Sequence, residues 1–185
     1  GTCLVGSEMC IRDRRNIVKI CKPVGVIGAL SPSTNPEATP VIKSINAVKG
    51  RNAIVIAPHP RAKFINMTIV EKMRGALEKM GAPADLVQTM AQPSLGKTEE
   101  LMKQCDFILA TGGPGMVKAA YSSGTPALGV GAGNAVITVD DTADLLDTAE
   151  KIRISKTLDL AASCSADNSV TVSYTHLRAH ETGSY

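Results

Sequence analysis

Between Asn16 and Val170 the chain alternates short apolar runs with longer amphipathic stretches. Val24–Leu30 (VGVIGAL), Ala53–Ala57 (AIVIA), Phe107–Thr111 (FILAT) and Ala135–Asp140 (AVITVD) read as strands. They are short, apolar and rich in β-branched residues, the pattern of strands covered on both faces. Leu86–Ala91 (LVQTMA) reads as a weaker strand. The intervening segments read as helices. Asn35 can cap the first, with Pro36 at its first position and Gly50 closing it. The stretch 58–81 carries an apolar face and ends at Gly81. SLGKTEELMKQ (94–104) reads as a short helix, GGPGMVKAAYSSG (112–124) turns into one, and a last helix covers about 142–157.

Strands separated by helices predict an α/β fold: βαβ crossovers building a Rossmann-like parallel sheet with helices on both faces. Ligands of such sheets bind beyond the carboxyl ends of the strands. The loops of interest are therefore SPSTNP (31–36), APHPRA (57–62), ATGGPGMV (110–117), GVGAGNAV (129–136) and the segment around Cys164.

Composition narrows the function classes. The formal net charge is +3 and aromatics are 3% with no Trp, so neither a basic face nor a stacking platform for nucleic acid is expected. The five cysteines (Cys3, Cys10, Cys21, Cys105, Cys164) form no CxxC pair, and the odd count argues against a disulfide framework. A reducing cytoplasm is the expected compartment. No apolar run is long enough to span a membrane, and no metal site is expected.

The two ends read as foreign to the fold. One set of codons for VSYTHLRAHE (172–181), read as its reverse complement, encodes LVGSEMCIRD (4–13). Both also resemble a transposase adapter used in preparing DNA libraries. Residues 1–14 and 172–185 are accordingly expected to be adapter-derived and disordered. This sets aside His176 and His180, whose i, i+4 spacing would otherwise suit a metal.

Four features could carry chemistry. Gly112, Gly113 and Gly115 lie between a strand and a helix, where glycines admit a phosphate to free N–H groups. A tight strand-to-helix turn is the plain alternative. Gly129 and Gly131 precede a strand, as close packing or as a wall beside a ligand. His59, held between Pro58 and Pro60, is either a solvated loop histidine or a nucleotide contact. Cys164 follows a helix among polar neighbours. A catalytic thiolate needs donors or positive potential nearby, and spacing alone does not separate it from filler.

KPVGVIGALSPSTNP, RNAIVIAPHPRA, LATGGPGMVKAAYSSGTPALGVGAGN and SKTLDLAASCSADNSV together resemble the CoA-acylating aldehyde dehydrogenases, from about Lys22 to Val170. The resemblance implies the aldehyde dehydrogenase fold, incomplete at both ends. It implies a partial cofactor domain over 15–154 and the start of a catalytic domain over 155–171. Cys164 would be the nucleophile that forms a thioester, with Thr34 and Asn35 as oxyanion donors. His59, Pro60, Thr111, Gly112, Gly113, Gly115, Gly129 and Gly131 would contact NAD or NADP, and coenzyme A would be the co-substrate. A small aldehyde or its acyl-CoA would be the partner, within a homo-oligomer. Acetaldehyde, sulfoacetaldehyde and propionaldehyde all stay open, as does fusion to an alcohol dehydrogenase.

Hydrolytic relatives carry a Glu general base before a Gly-Gly pair in the loop matching GVGAGN. Gly129, Val130 and Gly131 stand there instead, which favours transfer to a thiol over hydrolysis. A hydrolytic aldehyde dehydrogenase and a catalytically silent nucleotide-binding module are the alternatives. The resemblance further implies that the 185-residue chain is a fragment and inactive alone.

Overall fold

The computed structural model describes residues 10–12, 17–19, 22–163 and 165–173. The chain divides into two units, 1–131 and 132–185.

The first unit is built on a parallel sheet. Its strands are β3 (Val26–Ser31), β4 (Ala53–Pro58), β5 (Val87–Thr89), β6 (Phe107–Thr111) and β7 (Ala127–Val130). They lie in the order β5-β4-β3-β6-β7, and every pairing is parallel. Ahead of it, β1 (Cys10–Arg12) and β2 (Ile17–Lys19) pair antiparallel. The helices are α1 (Ala38–Lys49), α2 (Lys63–Lys79), α3 (Leu95–Gln104) and α4 (Pro114–Tyr121).

Side chains alternate across β3 and build two cores. Ile27 and Ala29 pack with Ile54, Ile56, Ala47 of α1 and Val70 of α2. Leu30 packs with Ile108, Ala110, Leu101 and Met102 of α3, and Ala120 of α4. Ile54, Ile56 and Ile108 are fully buried, each contributing about 1.5–3 kcal/mol. α3 approaches β3 so closely that a Cβ on Gly28 would sit 2.7 Å from the Cys105 Sγ. The entry to β3 is pinned by two side chains. Asn52 Oδ1 accepts the N–H groups of Val24 (2.6 Å) and Gly25 (3.1 Å), and Asp106 Oδ2 accepts that of Val26 (2.7 Å).

The second unit pairs β8 (Ala135–Val139) in parallel with β9 (Asp167–Val172), and α5 (Leu145–Thr157) connects them. α5 buries no residue. It is supported instead by an Asp144 cap on the Asp147 N–H (2.9 Å) and by the Lys151–Asp147 and Arg153–Glu150 pairs.

Several expectations shift. β7 was not expected as a strand, and its last two residues, Gly129 and Val130, were read as part of a loop; pairing with β6 places them in the sheet. β8 pairs with β9 rather than continuing the large sheet. Gly50 is the C-cap of helix α1 as expected, its N–H on the Asn46 carbonyl at 3.0 Å, and the left-handed residue is the Arg51 that follows it (φ 61°). Gly81 (φ 74°) terminates α2 as expected. Of the ends expected to be disordered, Cys10–Arg12 form β1, Val172 is the last residue of β9, and the Ser173 N–H bonds the Val139 carbonyl at 2.9 Å. The rest of those ends lies outside the described residues.

Candidate nucleotide crevice and cysteine loop

The chain leaves β3 for β4 and β5 on one side, then returns to place β6 and β7 on the other. The strand order thus reverses between β3 and β6, and their carboxyl ends flank the crevice where open α/β sheets bind ligands. SPSTNP follows β3 and TGGPG follows β6, so the topology brings together the two loops that sequence reasoning singled out.

Within the first loop Thr34 is exposed and Asn35 half-buried. The Asn35 Oδ1 accepts the Ala38 N–H at 3.2 Å, which caps the start of α1. Its amide nitrogen has no partner among the described residues. Asn66 of α2, fully buried, donates to the Pro36 carbonyl at 3.0 Å and ties this loop to the neighbouring helix.

Beyond β6, Thr111 is half-buried, and the Gly112 N–H bonds the Val130 carbonyl at 3.2 Å. Gly113 precedes the first turn of α4, which Pro114 starts. A Cβ on Gly113 or Gly115 would meet nothing within 4 Å. Open space against backbone N–H groups at a helix start suits the pyrophosphate of a dinucleotide, so these residues fit such a group.

His59 follows β4. Its Nδ1 accepts the Arg61 N–H at 3.2 Å, and its backbone N–H donates to the Ser31 carbonyl at 3.1 Å. With Nδ1 accepting, the ring proton sits on Nε2 and can donate. Pro60 is exposed beside it. Gly129 differs from the loop glycines: a Cβ there would lie 2.6 Å from Val117 Cγ1. Its N–H donates to the Tyr121 hydroxyl at 2.9 Å. Packing against α4 is therefore reason enough for glycine at 129. Gly131 is exposed and open.

Sequence reasoning passed over Lys43. Its Nζ donates to the carbonyls of Leu30 (2.7 Å) and Leu109 (2.8 Å), bridging β3 and β6 near their carboxyl ends. Burial lowers its pKa from 10.5 to about 8. The available signal was a lysine spaced three and four residues from buried Pro40 and Ala47, on the inward face of α1.

Cys164 lies outside the described residues. The chain reaches it through Asp159, Leu160 and Ala161, all with positive φ (52°, 52° and 60°), a left-handed turn costing about 1 kcal/mol per residue. No group of three His, Cys, Asp or Glu side chains that could hold a metal occurs among the described residues. No helix there is long and apolar enough to cross a membrane.

The model of the aldehyde dehydrogenase family matches residues 2–178. A sulfoacetaldehyde dehydrogenase of Acholeplasma sp is 55% identical over 158 residues, covering 85% of this chain and 33% of its own length. The crystal structure of an acetylating aldehyde dehydrogenase from Geobacillus thermoglucosidasius superposes with a TM-score of 0.80 at 43% identity, covering 85% of this chain and 35% of its own. That of Rhodopseudomonas palustris propionaldehyde dehydrogenase with bound propionyl-CoA gives 0.79 at 37% identity, covering 84% and 35%. The chain thus spans about a third of the length of the curated relative and of each solved structure.

Proposed function

The chain belongs to the aldehyde dehydrogenase family, and we propose that it is part of a CoA-acylating member, interconverting a short aldehyde and its acyl-CoA with NAD(P). One observation carries the choice of acylation over hydrolysis. From Phe107 to Val139, through β6, α4, β7 and the glycine-rich loop, there is no Asp or Glu. A hydrolytic enzyme needs a base to activate water against the thioester. Without one, an external thiol wins.

In the proposed cycle the Cys164 thiolate adds to the aldehyde carbonyl. Asn35, through its uncommitted amide N–H, and Thr34 donate to the oxyanion that develops. NAD(P), when bound, accepts the hydride. Collapse leaves an acyl thioester on Cys164. The CoA thiolate then attacks it, forming acyl-CoA and returning the cysteine thiolate. Gly112, Gly113 and Gly115 give the cofactor's pyrophosphate access to backbone N–H groups. His59 Nε2–H and Pro60 contact its adenosine end, while Thr111, Gly129 and Gly131 border it.

The test uses the protein that carries this chain, with acetyl-CoA, propionyl-CoA and sulfoacetyl-CoA, each with NADH or NADPH. Reductant consumption with release of free CoA supports the reading. Oxidation of the aldehydes to free acids with no CoA dependence rejects it.

A further inference from the structure

Lys43 is a half-buried cation with no counter-ion among the described residues. The described ion pairs join Arg74 to Asp85, Lys151 to Asp147 and Arg153 to Glu150. Lys43 instead donates to two backbone carbonyls, Leu30 on β3 and Leu109 on β6. β3, β4 and β6 carry no ionisable side chain along their lengths. α1 adds only Lys49, with Glu37 at its cap. α2, which packs beside α1, carries Lys63, Glu71, Lys72, Arg74, Glu78 and Lys79, and none pairs with Lys43. A charge held out of water without a partner is unfavourable unless something anionic reaches it.

Its location says where such a group would come from. Leu30 and Leu109 stand one and two residues from the ends of β3 and β6, the two strands that flank the crevice. The ammonium therefore sits about 7 Å or less below the sheet edge. An ammonium has three N–H donors. Two are engaged by carbonyls, and the third has no partner among the described residues.

We propose that Lys43 supplies the positive charge that binds the pyrophosphate common to NAD(P) and CoA, while its two carbonyl bonds hold the crevice walls in register. This deepens the functional reading above and rests on it. An ammonium at this depth acts through a medium of low effective dielectric, so its loss is worth about tenfold in the affinity of a diphosphate.

The experiment measures dissociation constants of ADP, NADH and CoA for the protein that carries this chain by calorimetry between pH 6.5 and 9.5. It compares the wild type with Lys43→Met and Lys43→Arg, each checked by circular dichroism. ADP isolates the shared pyrophosphate; NADH and CoA distinguish the two sources. The expected result is about tenfold weaker binding of all three by Lys43→Met at pH 7. Lys43→Arg retains affinity. Wild-type affinity declines above pH 8, whereas that of the Arg variant does not. Should Lys43→Met fail to fold, the wild-type and Arg pH profiles carry the test alone. Equal affinities in all variants, or parallel pH profiles, would overturn this inference and leave the dinucleotide reading standing. A wild-type protein that binds neither NADH nor CoA would overturn both.

Discussion

The side-chain oxygen of Asn35 accepts the backbone N–H of Ala38 at 3.2 Å, so the amide is anchored by its carbonyl end and keeps its donor end for another partner. One residue thus links the start of α1 to the proposed oxyanion site. The two duties separate by substitution. Asn35→Asp keeps a good capping oxygen and loses the donor. Melting is expected within about 0.5 kcal/mol of wild type, with turnover down about 100- to 1,000-fold. Asn35→Ala loses both, adding about 1 kcal/mol of destabilisation. Steady-state kinetics beside thermal melts check both variants; full turnover by Asn35→Asp would remove the residue from the site.

Two glycines predicted to serve the same ligand should respond oppositely to alanine. Gly129→Ala places a Cβ 2.6 Å from Val117 Cγ1, and overpacking of this kind costs about 1–3 kcal/mol. Gly113 has nothing within 4 Å and a φ of −66°, so Gly113→Ala folds normally. There the new methyl obstructs the pyrophosphate and weakens dinucleotide binding about tenfold. Denaturant melts and NADH titration of both variants measure the contrast.

Lys43 also predicts a pH dependence of stability. Its folded pKa is about 8 against 10.5 when solvated. Between those values the unfolded chain binds more protons than the folded one, so stability rises with pH across that window. The penalty carried below pH 8 is at most about 3 kcal/mol. Lys43→Met removes it, so the variant is expected to melt higher than wild type at pH 7, with the gap narrowing toward pH 10. A constant gap would contradict this.

The thiol of Cys105 packs in the core, 6% exposed, and burial pushes its pKa up. Iodoacetamide at pH 8 should therefore leave Cys105 unmodified in the folded chain and label it only after denaturation. Peptide mass spectrometry reads this directly. It also makes Cys105 an internal control for the reactivity of Cys164.

Much of the sheet was legible because its strands announce themselves. FILAT over Phe107–Thr111 and AIVIA over Ala53–Ala57 are buried on one face and at least half-buried on the other, and both formed where the apolar runs stood. The crevice loops were legible for the same reason, since each sits at the carboxyl end of such a run. β7 was hidden because an edge strand with a proline before it and a glycine inside it reads as turn. β9 was hidden because DNSVTV is half polar and pairs with β8, whose partner residues lie 32 or 33 positions earlier. Lys43 was hidden because local pattern registers a charge on a helix without showing that its amine reaches back to two strands. The packing duty of Gly129 was hidden because the side chains that crowd it, Val117 and Tyr121, come from another element.

The central claim is that Cys164 carries the acyl group and that a thiol, not water, removes it. The direct measurement mixes the protein carrying this chain with acetyl-CoA in the absence of NAD(P)H and follows the peptide containing Cys164 by mass spectrometry. The account predicts an acetyl group on Cys164 and none on Cys105, stable in buffer and discharged by added CoA. No adduct at Cys164, or an adduct that water clears as fast as CoA does, would contradict it.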